Sequence, residues 1–150
     1  MSTGRSRALL GLGAVLVLLV VAAWAAASLL GPKSQYEIRV LDGSKVLATY
    51  SIDKLEALGV EKIVVLGKEE QGPSLMRVLQ ASGVESFQKV TIRGAGVRDG
   101  GVIVLTPAEA SNDVIFDVAN RGTVKVVGPD IEWGDRVRDV TDVVVEGAKG

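Results

Sequence analysis

The sequence predicts an α+β fold, a mostly antiparallel or mixed sheet of short strands with two or three short helices, preceded by one transmembrane helix. Three observations lead there. Residues Ala8 to Leu30 carry no charge, and every acidic residue lies from Glu37 onward. Beyond that run, apolar and polar residues alternate in short segments, the period of half-buried strands. Tight turns rather than long crossovers join most of them, which favours antiparallel or mixed pairing over a doubly wound sheet. At 150 residues there is room for one ordinary domain.

The apolar run, ALLGLGAVLVLLVVAAWAAASLL, is 23 residues long, and twelve of them are Leu or Val. A helix needs roughly 20 such residues to cross the hydrocarbon core. Arg5 and Arg7 flank its start and only Lys33 its end, so the positive-inside bias keeps the N-terminus in the cytoplasm and exports the rest of the chain. The run exceeds the roughly 7–15 residues usual for a signal-peptide core, which favours an uncleaved anchor. Ala25-Ala26-Ala27 ahead of Ser28 keeps a cleaved signal peptide as the alternative. The expected organisation is a cytoplasmic N-terminus (1–7), a transmembrane anchor (8–30), a linker (31–35) and an extracytoplasmic domain (36–147).

Within the domain, Tyr36, Ile38 and Val40 alternate as a strand, Asp42-Gly43 signals a hairpin turn, and Val46 to Tyr50 returns. Ser51 caps a short helix, IDKLEAL, that Gly59 ends. Lys62 to Leu66 is a β-branched third strand, followed by a loop that Gln71-Gly72 closes. Pro73-Ser74 opens a helix over Leu75 to Ala81; Leu75, Val78 and Leu79 form its core-facing stripe, and Gly83 stops it. Lys89 to Arg93 and Val102 to Leu105 flank a glycine-rich turn. Thr106-Pro107-Ala108-Glu109 reads as a capping box over a single helical turn. Val114 to Val118, Thr123 to Val127 and Val137 to Val145 complete about eight strands.

Composition excludes several chemistries. The chain has no cysteine and no histidine. Thiolate metal sites, cysteine nucleophiles, Ser-His-Asp catalysis and His-ligated metals are therefore absent. Ser34 to Gly150 holds 14 basic and 18 acidic residues, a formal net charge of −4. Nucleic acid needs a positive patch and is set aside as a partner.

Three segments resemble the sulfite-oxidase-type molybdopterin-binding domain. Gly72-Pro73-Ser74-Leu75-Met76-Arg77-Val78-Leu79-Gln80-Ala81-Ser82-Gly83-Val84 is similar to the helix that follows that family's central strand. Tyr50 to Leu58 resembles an earlier family helix. Arg121 to Asp130 together with Val137 to Val143 is similar to its closing hairpin. In order and spacing the resemblance covers most of Tyr36 to Glu146. It implies a molybdopterin scaffold whose enzymes hold molybdenum through a cysteine after the strand preceding the helix. The corresponding stretch here is Val64-Val65-Leu66-Gly67. The family's pterin-phosphate arginines and histidines find no match. The resemblance therefore implies a cofactor-free relative that uses the scaffold for binding or assembly. Its expected partners are the membrane and another membrane or extracytoplasmic protein. The alternative is an oxidoreductase relative binding molybdopterin or another anionic cofactor without a cysteine ligand, its phosphate held by Arg77, Arg93 or Arg121.

Other motifs have plainer readings. Gly94 to Gly101 runs strand to strand, whereas a phosphate loop runs from a strand into a helix; it reads as a hairpin turn. Asp130, Glu132, Asp135, Asp139 and Asp142 miss the calcium-loop spacing and are interleaved with Arg136 and Arg138, which reads as a solvated hairpin with no metal. Trp133 is read as a packing residue in a loop. Arg121, beside the turn-forming Gly122, either meets an anionic ligand or pairs with Asp117. No catalytic residue and no metal ligand is assigned.

Overall fold

β1 (Glu37–Asp42) and β2 (Lys45–Ser51) form the expected hairpin. It turns at Gly43, whose φ of +58° suits a residue without Cβ. Ile38 and Val40 point into the core, as the alternation requires. The computed structural model describes residues 35–96 and 100–150. The predicted span 8–30 lies outside them, as do residues 97–99 of the glycine-rich turn. Among the described residues no helix is long and apolar enough to cross a membrane. Tyr36–Gly150 form one compact unit.

The Ser51 hydroxyl accepts the Lys54 amide and caps α1 (Ile52–Glu56). β3 (Glu61–Val65) then pairs antiparallel with β4 (Lys68–Gly72). β4 occupies most of the stretch expected to be a loop. KEEQG has little intrinsic β preference, and the tight turn before it has Leu66 at φ +53° and Gly67 at φ +77°. A leucine in that left-handed region is a poor sequence signal for a hairpin. Ser74 caps α2 (Leu75–Ala81), which buries Leu75, Val78 and Leu79 as its spacing demands.

β5 (Lys89–Ala95) and β6 (Val102–Leu105) pair antiparallel on either side of the glycine-rich segment, so it joins two strands. Thr106 and Glu109 form the capping box of α3 (Pro107–Ala110). β7 (Ile115–Val118) and β8 (Val124–Val127) make a further hairpin, and β9 (Arg138–Glu146) follows a 3-10 turn at Trp133–Asp135.

The principal sheet has the order β2-β1-β9-β5-β6. β1 and β9 run parallel and the other pairs antiparallel, so the sheet is mixed. β3–β4 and β7–β8 are separate two-stranded pieces. They meet where Leu75 N donates to Val114 O at 2.8 Å and Phe116 N to Pro73 O at 2.9 Å. Gly72 permits that approach, because a Cβ there would lie 1.8 Å from the Phe116 carbonyl oxygen. Phe116, Val124 and Val126 join α2 and the principal sheet in one core; Val65, Ile115 and Val127 form a smaller one.

Two expectations about the C-terminal segment change. β8 and β9 belong to different sheets, so residues 128–137 are a connection and not a hairpin; one bond, Val126 N to Val137 O at 2.9 Å, joins its ends. The segment is also not uniformly solvated, because Arg136 is buried. In β9, Asp139 has φ +47°. Between Arg138 and Asp142 the strand carries two more residues than β5 does between Ala95 and Arg93. This bulge explains why Val140 and Val143, three apart, are both buried.

Candidate functional site

The meeting of β4 with the β7–β8 hairpin gathers charge in one place. On β7 and β8 the side chains alternate: Phe116, Val124 and Val126 enter the core. Asp117 and Lys125, directly opposite each other in the ladder, point the other way. Lys125 Nζ lies 2.9 Å from Asp117 Oδ2 and 2.8 Å from Glu70 Oε2 on β4. Glu70 is only 3% exposed. Its second oxygen, Oε1, has Lys68 Nζ at 3.6 Å and Arg136 Nη1 at 3.8 Å.

A buried carboxylate costs several kcal/mol unless it is paired, and here the pairing decides the protonation states. Burial pushes Glu70 up, yet the hydrogen bonds with Lys125 and Asp117 and the charges of Lys125 and Lys68 outweigh it. The carboxyl sits below its ordinary value. Asp117 is displaced upward, by burial first and then by its hydrogen bond to Glu70, against the pull of Lys125. The two acids are thus displaced in opposite directions. Burial lowers Lys125, but its bonds to Glu70 and Asp117 prevail and raise it. A lysine held so stays an ammonium and offers no nucleophile.

Above this network lies a cleft of about 550 Å³ whose lining includes Gln71, Asn120, Arg121, Thr123, Arg138 and Asp139. A neighbouring hollow of about 490 Å³ shares Arg121, Arg136, Arg138 and Asp139 with it. Arg121 stands on the β7–β8 turn, where Gly122 takes φ +76°. Its Nη2 lies 2.5 Å from Asp139 Oδ1, and its Nε donates to Thr123 Oγ1 at 2.9 Å. Asp117 is engaged with Lys125, so the pairing considered for Arg121 goes to Asp139 instead. The bulge of β9 presents Asp139 to it.

Arg77, Arg93 and Arg121 are not brought together. Arg77, on α2, donates from Nη1 to Leu58 O at 3.1 Å and sets Nη2 3.5 Å from Glu61, tying α2 to the segment after α1. Arg93 is exposed on β5. Of the three, only Arg121 lines the cleft. The acidic run is likewise dispersed: Asp142 pairs with Arg39, Asp139 with Arg121, and Asp130 accepts from Asn112. Among the described residues no group of acidic side chains is placed to hold a metal.

Sequence reasoning missed Glu70, Lys68 and Lys125 as members of one cluster. The usable signal was the alternation in Val124-Lys125-Val126, which puts a lysine opposite two core valines. Nothing in Lys68-Glu69-Glu70-Gln71 marks Glu70 as the buried one.

The molybdopterin implied by the sequence resemblance can be set against these residues. Val64–Gly67, the stretch matched to the metal-binding cysteine, is the end of the β3–β4 hairpin, with Val64 71% and Leu66 80% exposed. It supplies no soft donor. The residues present do not fit a thiolate-ligated molybdenum.

No protein-family model matches the chain, and no curated protein matches it in sequence. In structure it is similar to the sulfane dehydrogenase SoxCD from Paracoccus pantotrophus, with a TM-score of 0.61 and 13% identity. The match covers 75% of this chain and 39% of that one, so this chain spans about two-fifths of that protein's length. At such identity the likeness is one of fold.

Proposed function

We propose that this protein is a membrane-anchored, extracytoplasmic binding or assembly module on a molybdopterin-domain-like scaffold, without redox chemistry of its own. The observation that carries the reading is the β3–β4 turn. Where the resemblance places a metal-binding cysteine, this chain presents exposed apolar side chains, Val64 and Leu66. Exposed apolar surface is a mark of association with another macromolecule.

The cleft supports the same reading. Lys125 is held by two carboxylates, and Arg121 by Asp139. Carboxylates from the domain itself thus stand beside the cations that an anionic cofactor would need. The uncharged run Ala8 to Leu30, with arginines only before it, supports the anchor and the exported side.

The test is fractionation followed by cross-linking in intact membranes. The full chain is expected to resist alkaline extraction, to be digested by protease added from the extracytoplasmic side, and to cross-link to a second polypeptide. A chain that washes off the membrane, or that cross-links only as monomer, contradicts the proposal.

A further inference from the structure

The exposed end of the β3–β4 hairpin combines features that identify what docks there. β3 pairs with β4 along one edge, and among the described residues no strand pairs with the other. In a two-residue hairpin the residues flanking the turn, Val65 and Lys68, form a hydrogen-bonded pair. Alternation then turns the backbone N–H and C=O of Lys62 and Val64 toward the open edge. An open edge is a template for another strand, and proteins usually blunt it with charge, proline or a covering loop. β3 carries charge of that kind at Lys62, paired with Glu69, but beyond it come the two most exposed large apolar side chains among the described residues, Val64 at 71% and Leu66 at 80%.

Beside the edge is a groove of about 530 Å³, lined by Val64, Val65, Leu66, Pro129, Ile131 and the acidic Asp130, with Glu132 completing its rim. Leu66 holds a left-handed φ of +53°, a conformation that asparagine or glycine adopts at lower cost. The sequence thus keeps an apolar side chain at a backbone position that disfavours it. Strain of this kind gathers at functional sites.

We infer that β3 receives an extended segment of a partner protein by strand addition. The segment places alternate apolar side chains over Val64 and Leu66 and carries basic residues toward Asp130. Charge selects this occupant: the groove's rim is acidic, and Ser34–Gly150 has a formal net charge of −4. A second copy would bring the same acidic rim and the same net charge against itself. The inference rests on the assembly reading above and names the surface it uses.

The probe is a capped hexapeptide alternating valine and lysine, added to the full chain in detergent. Two controls share its length: a valine–glutamate alternation, and the valine–lysine peptide with a central proline. Hydrogen exchange is read at the Lys62 and Val64 amides. The valine–lysine peptide is expected to slow exchange at both and to bind about tenfold or more tighter than either control. Leu66→Asn is expected to raise the melting temperature, because asparagine suits the turn, and to weaken the peptide by about tenfold. That combination separates lost contact from lost fold.

Equal binding of all three peptides, unchanged exchange at Lys62 and Val64, or full binding by Leu66→Asn overturns the inference. Slow exchange at these amides without peptide, in a chain that sediments as a dimer, assigns the edge to a second copy and also overturns it. If membranes yield a cross-linked complex in which Lys62 and Val64 exchange freely, the assembly reading survives and this surface falls. If no complex forms at all, the assembly reading itself has failed.

Discussion

Lys125 on β8 sets its ammonium 2.8 Å from the buried Glu70 carboxylate on β4, joining two hairpins that belong to separate sheets. Removing either partner leaves a charge only partly compensated, because Asp117 stays on Lys125 while Lys68 and Arg136 stay near Glu70. Glu70→Gln and Lys125→Met are each expected to destabilise the domain by about 1–3 kcal/mol. The double variant is expected to cost clearly less than the sum of the two. Chemical denaturation of the four proteins gives the coupling, and additive losses would show that the contact contributes nothing.

Much of the fold was legible in the sequence because its signals are local. Ser51, Ser74 and Thr106 cap the helices they precede, and the alternation through Ile38 and Val40 sets the buried face of β1. β4 was illegible for a physical reason. Lys68-Glu69-Glu70-Gln71 looks solvated, and Glu70 is buried only because Lys125, 55 residues later, arrives to pair with it. The dispersal of Arg77, Arg93 and Arg121 is a tertiary outcome of the same kind. Three arginines on α2, β5 and the β7–β8 turn carry no sequence mark of whether they converge.

Tyr36 adds a second tie. Its hydroxyl donates to the Val140 carbonyl and accepts the Val124 amide at 3.2 Å, bridging β9 and β8. Burial, above all, pushes its pKa from 10.0 up to about 12. The folded form therefore holds its proton more tightly than the unfolded chain does. The associated stability is complete below pH 10 and is lost as pH rises toward 12. Relative to Tyr36→Phe, the native protein is expected to lose stability progressively across that window. Parallel stability curves for the two proteins would refute the shift.

Gly72→Ala tests the approach of β4 to β7. The added Cβ meets the Phe116 carbonyl oxygen at 1.8 Å, and that atom belongs to backbone. Separating the strands also draws Glu70 from Lys125. A destabilisation of about 3 kcal/mol or more is expected by thermal unfolding. A near-neutral result would mean that the two hairpins have freedom to part.

Arg121→Ala is expected to cost less than about 1 kcal/mol, because its ion pair with Asp139 is largely solvent-exposed. A loss of several kcal/mol in urea unfolding would show that the β7–β8 turn depends on it.

The central claim, a binding module without redox chemistry of its own, is tested most directly by mass spectrometry of the full chain, released from its native membrane under non-denaturing conditions. The account predicts this chain in complex with a second polypeptide and carrying no small organic cofactor. A chain alone with a bound mass of a few hundred daltons, identified as a pterin, would contradict it and return the domain to the enzymes.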